Sequence, residues 1–218
     1  NLGSKTDACG LVVRAIEEAG DKPGEQIALC YDAAASEVFD KASGRCHFDG
    51  GTATASDMAT YYEGLLDQYP IALIEDPFDE NSWSDFAAFT AKVGDRVNIV
   101  GDDIFVTNPE RLRRGIRERT ANTVLIKLNQ IGTVTETLET MKLALRNGYG
   151  TFVSHRSGET TDSTIADLSV GMNAMSMKSG APARGERVAK YNQLLRIEER
   201  LGADVEYAGR SAFPRLGR

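Results

Sequence analysis

Short apolar runs alternate with longer amphipathic stretches along almost the whole chain. Six runs rich in Val, Ile and Leu read as strands: 26–31 (QIALCY), 71–74 (IALI), 97–100 (VNIV), 123–126 (TVLI), 150–153 (GTFV) and 174–177 (AMSM). The last has weak strand propensity. The others read as runs buried on both faces, as parallel strands are. Helix signals lie between them. Ser56 precedes DMATYYEGLLDQY, Ser82 precedes WSDFAAFTAKV, and Asn108-Pro109 opens ERLRRGIRER with Pro at the first helical position. Thr133 precedes VTETLETMKLALRN, which stops at Gly148. Segments 161–171 and 184–201 supply two more helices, and an opening helix over 7–19 ends at Gly20. Segment 39–50 (FDKASGRCHFDG) reads as an inserted turn or hairpin.

One leading helix followed by six βα units predicts an α/β fold with parallel strands. An open doubly wound sheet and a (β/α)₈ barrel both fit that pattern. No Gly-rich phosphate loop follows the first strand, which counts against dinucleotide binding. A closed barrel needs eight strands and typically about 250 residues. Six strands therefore predict either an unusual barrel or two strands upstream of Asn1.

The residues at the strand ends carry the candidate chemistry. In order they are Asp32, Glu75, Asp102, Lys127, Ser154-His155-Arg156 and Lys178, about one βα unit apart. Parallel α/β proteins keep their sites at the carboxyl ends of strands. The first three units supply carboxylates. Neighbouring strands lie about 4.8 Å apart, so acids at adjacent ends can converge on one ion. Taken singly, each acid reads as a capping or loop carboxylate; three in register repel unless a cation sits among them. Oxygen-only ligands suit Mg²⁺. The last three units supply cations, which suit an anionic substrate, Arg being fitted to phosphate. Lys127 follows an apolar strand. Burial and nearby positive charge would lower its pKa toward that of a general base.

Composition narrows the function. Of 218 residues, 41% are hydrophobic, enough for a core without a metal or disulfide staple. The net charge of −7 argues against a nucleic-acid or membrane-surface protein. No apolar run approaches the ~20 residues of a membrane span. The first ten residues have neither a basic start nor an apolar stretch, so no signal peptide is expected. They also lack an initiator Met, which points to a processed chain or a piece of a longer one. Cys9, Cys30 and Cys46 have no CxxC spacing, so reduced thiols in a cytoplasmic protein are expected. Only His47 and His155 could partner a catalytic Cys, and no thiol lies in a nucleophile motif.

Seven segments resemble the enolase (phosphopyruvate hydratase) family. They are YDAAASEVF (31–39), IEDPFDENSW (74–83), GDDIFVTNP (101–109), LIKLNQIGTVTETLE (125–139), SHRSGETTD (154–162), KSGAPARGERVAKYNQLLRIEE (178–199) and YAGR (207–210). KLNQIG and SHRSGET are the specific blocks; IEDP alone would be weak. The resemblance implies the last six βα units of that family's C-terminal barrel, an incomplete TIM-like barrel domain over 1–218. Its N-terminal domain and first barrel strands are not expected in this chain.

The resemblance also implies roles. Asp32, Glu75 and Asp102 match the ligands of a Mg²⁺ ion. Lys127 matches the base that removes the C2 proton of 2-phosphoglycerate. Lys178 matches the lysine that, with Mg²⁺, neutralises the substrate carboxylate as it becomes a dianion. Arg156 and Ser157 match the phosphate-binding pair, and Ser154 and His155 complete that loop, with His155 among the catalytic candidates. A Lys or His base beside one or two Mg²⁺ ions is the pattern of this superfamily. The family's general acid is a glutamate in a Gly-Asp-Glu-Gly-Gly segment that no part of this chain matches. A lyase in the whole protein, with the 218 residues inactive by themselves, is therefore expected.

Small departures are Tyr31 directly before Asp32, Ser176 where a Gln is usual, and Gly185 where a Ser is common. Two other readings compete. One is a superfamily relative acting on a sugar acid, which would lack both specific blocks. The other is a non-catalytic surface or scaffold binding module. Plasminogen binding by such a module often uses a C-terminal lysine, and this chain ends in Arg218. The family further implies a dimer or octamer and a cytoplasmic protein also met at cell surfaces. A six-stranded remnant would leave sheet edges open to association.

Overall fold

In the computed structural model, residues 5–48 and 50–216 are described. Positions 1–4, Asp49 inside the expected hairpin, and positions 217–218 lie outside the described residues. The chain divides into two compact units. One comprises 1–104, 114–122 and 213–218; the other comprises 105–113 and 123–212.

The first unit opens with helix α1 (Lys5–Glu18) and strand β1 (Leu29–Asp32). Gln26 and Ile27, expected in the strand, instead close a turn: the Gly24 N–H donates to Ile27 O, and the Lys22 N–H donates to the Gln26 carboxamide at 2.9 Å. The inserted segment is larger than expected. It forms a three-stranded antiparallel sheet of β2 (Phe39–Asp40), β3 (Arg45–Phe48) and β4 (Gly51–Ala53).

Helix α2 (Ala55–Gln68), strand β5 (Ile71–Glu75), helix α3 (Trp83–Val93) and strand β6 (Asn98–Gly101) follow. β1, β5 and β6 run parallel in that order. Every residue of β5 and β6 is buried, the polar Glu75 and Asn98 at their ends included. Phe78 packs edge-on against Phe86 and Phe89, both with ring centroids 5.6 Å away, and the fully buried Tyr62 donates its hydroxyl to Pro77 O at 3.1 Å. The cap of α2 is Thr54 rather than Ser56. The Thr54 hydroxyl accepts the Asp57 N–H at 3.2 Å, and the Asp57 carboxylate accepts the Thr54 N–H at 2.9 Å, a reciprocal capping box. Thr54→Ala is expected to cost about 1 kcal/mol, read as a lower urea midpoint at unchanged slope.

Helix α4 (Pro109–Glu118) starts where Asn108-Pro109 predicts, with the Asn108 side chain accepting the Glu110 N–H at 2.8 Å. The second unit holds β7 (Thr123–Ile126), β8 (Gly150–Ser154) and β9 (Ser176–Lys178), parallel and in sequence order. Helices α5 (Leu128–Ile131), α6 (Val134–Arg146), α7 (Thr164–Gly171) and α8 (Gly185–Leu201) connect and flank them. The short α5 lies inside KLNQIG and ends at Gly132, whose φ of +102° suits glycine. Gly150 has a different reason: a Cβ there would stand 2.9 Å from Thr123 Oγ1 and 3.0 Å from Met175 Sδ. β9 begins two residues later than its sequence suggests, because the Ala174 N–H is spent on Ser169 O at the end of α7. Among the described residues no helix is long and apolar enough to cross a membrane, and none of the three cysteines is in a disulfide.

Candidate active site

In the first unit, the acids stand at the carboxyl ends of adjacent strands. Asp32 and Glu75 are the last residues of β1 and β5 and are direct register partners. Asp102 follows β6 directly. Asp32 is exposed, whereas Glu75 is 3% and Asp102 6% exposed. The Asp32 carboxylate accepts the Ala34 N–H at 3.1 Å.

Two further acids enter that the strand-end pattern does not select. Asp76, Asp102 and Asp103 each place a ligand oxygen within 4.8 Å of the others, a group that could hold a metal ion. Asp76 is 3% exposed and adopts a left-handed φ of 41°. Its two oxygens accept the Asp102 and Asp103 N–H groups, both at 2.9 Å. Burial holds its carboxyl well above the ordinary value, with the Asp102 and Asp103 charges adding to that and the two N–H bonds opposing it. With both oxygens engaged, Asp76 serves to hold the Asp102–Asp103 turn. The expected trio of Asp32, Glu75 and Asp102 shares only Asp102 with this group; carboxylate oxygens of either set suit a hard divalent cation such as Mg²⁺. IEDP and GDD carried the signal for these acids, since a charged residue next to a buried strand end must have a partner.

In the second unit, the cations stand at the ends of β7, β8 and β9. Lys127 directly follows β7. Its N–H donates to Thr107 Oγ1 at 2.9 Å, and that buried hydroxyl donates to Gln130 Oε1 at 2.9 Å. Lys178 is the last residue of β9 and the register partner of Ser154. The His155 N–H donates to Lys178 O at 2.9 Å, which fixes both strand ends. The Ser176 hydroxyl, at the position where the family usually has Gln, is buried without a hydrogen-bond partner among the described residues.

Arg156 and Ser157 are exposed, and the Arg156 guanidinium donates to Asn129 Oδ1 at 2.8 Å. Ser154 is 3% exposed and donates its hydroxyl to His155 O. Ser154, Arg156 and Asn129 line a cleft of about 640 Å³ that also meets Glu159, Thr160 and Lys190. Sequence reasoning did not single out Glu159, Arg187 or Lys190. Their roles depend on contacts about thirty residues apart.

His155 is half-buried, and the Arg187 guanidinium hydrogen-bonds its Nδ1. A guanidinium can only donate, so Nδ1 accepts and the neutral ring carries its proton on Nε2. Burial lowers the His155 pKa first, and the charges of Arg187, Lys178 and Lys127 push it the same way against Glu159. The folded state therefore binds this proton less well than the unfolded chain. Stability linked to His155 is complete above about pH 6.5 and is lost as pH falls from there toward the depressed folded value. His155→Gln should flatten the thermal midpoint of the whole protein as pH falls below about 6.5, relative to wild type.

Parallel strand–helix units with ionisable side chains at the carboxyl ends of the strands define an α/β protein of the TIM-barrel class. The family model described as "Enolase, C-terminal TIM barrel domain" matches residues 1–215. Enolase of Bifidobacterium adolescentis is 55% identical over 212 residues, covering 97% of this chain and 49% of that protein. Enolases of two Bifidobacterium longum strains match at the same identity and coverage. The chain belongs to the enolase family. It spans about half the length of the curated relatives it matches.

Proposed function

We propose that the whole protein is a Mg²⁺-dependent lyase that dehydrates 2-phosphoglycerate to phosphoenolpyruvate. The observation that supports this most is the cationic group of the second unit, with Lys127, His155-Arg156 and Lys178 at the ends of the adjacent strands β7, β8 and β9. Such a group suits a substrate carrying a phosphate and a carboxylate. In this reading Arg156 and Ser157 bind the phosphate, with Ser154 and His155 shaping the loop. Lys178 faces the carboxylate, and Lys127 takes the proton from C2. Asp32, Glu75 and Asp102 hold the metal, while Asp76 keeps the Asp102 turn in place. When bound, Mg²⁺ supplies positive charge beside the carboxylate, which makes a very weakly acidic proton removable. Loss of the 3-hydroxyl needs a general acid. No segment of this chain matches the stretch that carries it in the family, so the 218 residues by themselves are expected to be inactive.

The test is calorimetric titration of 2-phosphoglycerate into the whole protein, with and without Mg²⁺. Binding that requires Mg²⁺ is expected. A plain scaffold or surface module would give no Mg²⁺-dependent binding, and that result would sink the lyase reading.

A further inference from the structure

Two cations on α8 are buried, and both direct most of their hydrogen bonds to the loop that follows β8. Arg187 is 7% exposed. Its Nη1 donates to Arg156 O at 2.9 Å and also meets His155 Nδ1, and its Nη2 donates to Ser157 O at 2.9 Å. Lys190 is 1% exposed. Its Nζ donates to Glu159 Oε2 and Thr160 O, both at 2.6 Å, and to Glu186 O at 2.8 Å. Glu159 Oε1 in turn accepts the Arg156 N–H at 2.9 Å. Residues 187 and 190 are three apart, so one side of the helix presents both.

Desolvating a lysine and an arginine is costly, and apolar side chains would dock a helix at least as well. These two cations do something an apolar contact cannot. They grip carbonyls 156, 157 and 160 and, through Glu159, the N–H of 156. The backbone is thus held around both residues that carry the phosphate under the reading above, on which this inference rests. Burial would raise the Glu159 carboxyl, but the Lys190 and Arg156 N–H bonds and the Lys190 and Arg187 charges outweigh it and leave it lowered. The link is therefore ionic at neutral pH.

We infer that Arg187 and the Lys190–Glu159 pair are positioning residues that set the 155–160 loop for binding the substrate phosphate. They touch the loop and not the reacting atoms. The prediction is a KM effect. In the whole protein, Glu159→Ala should raise KM for 2-phosphoglycerate about tenfold or more and leave kcat within about threefold. Glu159→Gln keeps one acceptor oxygen but turns its amide donor toward the Lys190 ammonium or the Arg156 N–H, so it should restore little of the affinity. Arg187→Lys keeps the charge but loses the fork that spans two carbonyls, so it should behave like Glu159→Ala.

Hydrogen exchange supplies a readout independent of turnover. Amides 155–160 should lose protection in Glu159→Ala while β8 keeps its own. A folded Glu159→Ala with wild-type KM and unchanged exchange over 155–160 would overturn the inference. If the wild-type protein does not bind or convert 2-phosphoglycerate, the functional reading fails, and exchange alone decides whether the latch exists.

Discussion

Lys127→Ala in the whole protein is expected to lower kcat about 10²- to 10⁴-fold, with a smaller change in KM. The reason begins with β7, whose four residues are all buried and deliver Lys127 to a fixed place. The Thr107 hydroxyl then holds the Lys127 backbone, and Thr107 is itself held: its carbonyl accepts the Thr140 hydroxyl at 2.8 Å. A side chain on so rigid a root has the preorganisation that proton transfer needs. Lys127→Arg separates charge from basicity. Arginine keeps the positive charge but stays protonated, so it cannot accept the C2 proton. Lys127→Arg is therefore expected to be nearly as slow as Lys127→Ala. Rescue by Arg would assign Lys127 to charge stabilisation instead.

Asp102→Asn should abolish Mg²⁺-dependent stabilisation and raise the Mg²⁺ needed for half-maximal activity about 100-fold or more, since divalent affinity follows ligand charge. The bond from position 102 to Asp76 uses the backbone N–H and survives the substitution. Without metal the variant should be at least as stable as wild type. Asp76, Asp102 and Asp103 lie close enough to repel, and the substitution removes one of those charges. The opposite signs with and without Mg²⁺ are the diagnostic feature. Thermal melts of wild type and variant across a Mg²⁺ series read both at once. A variant less stable than wild type without metal would mean that Asp102 is structural.

The strand-end positions of these ionisable residues are readable because residue type and spacing carry them. An acid or a lysine that interrupts an apolar run at the end of a βα unit is costly to bury unless it meets a partner or a ligand there. KLNQIG and SHRSGET then narrow the class to one family. Boundaries are less readable, because local hydrogen bonds decide them. Thr54 caps α2 through Asp57, a Thr-x-x-Asp signal that begins two residues ahead of Ser56. Ala174 gives its N–H to the helix before it, which shortens β9. Gln26 and Ile27 look like strand residues by propensity, but a turn uses their polar groups.

The supporting layer of the site is not readable in the same way. On an amphipathic helix, Lys190 and Arg187 look like solvent-facing cations. Only the folded chain shows that both are buried against a loop thirty residues away. Asp76 is hidden for a related reason. It stands next to the expected ligand Glu75, and its backbone turn, not its residue type, directs it toward the amides of 102 and 103.

We propose that this chain carries the base, the substrate cations and the metal carboxylates of a 2-phosphoglycerate dehydratase. The most direct measurement is phosphoenolpyruvate formation by the purified whole protein, with Mg²⁺ present and after its removal by a chelator. The account predicts formation with Mg²⁺, loss on chelation and recovery when Mg²⁺ is returned. No product from a folded, Mg²⁺-supplied protein, or product that persists after chelation, would contradict it.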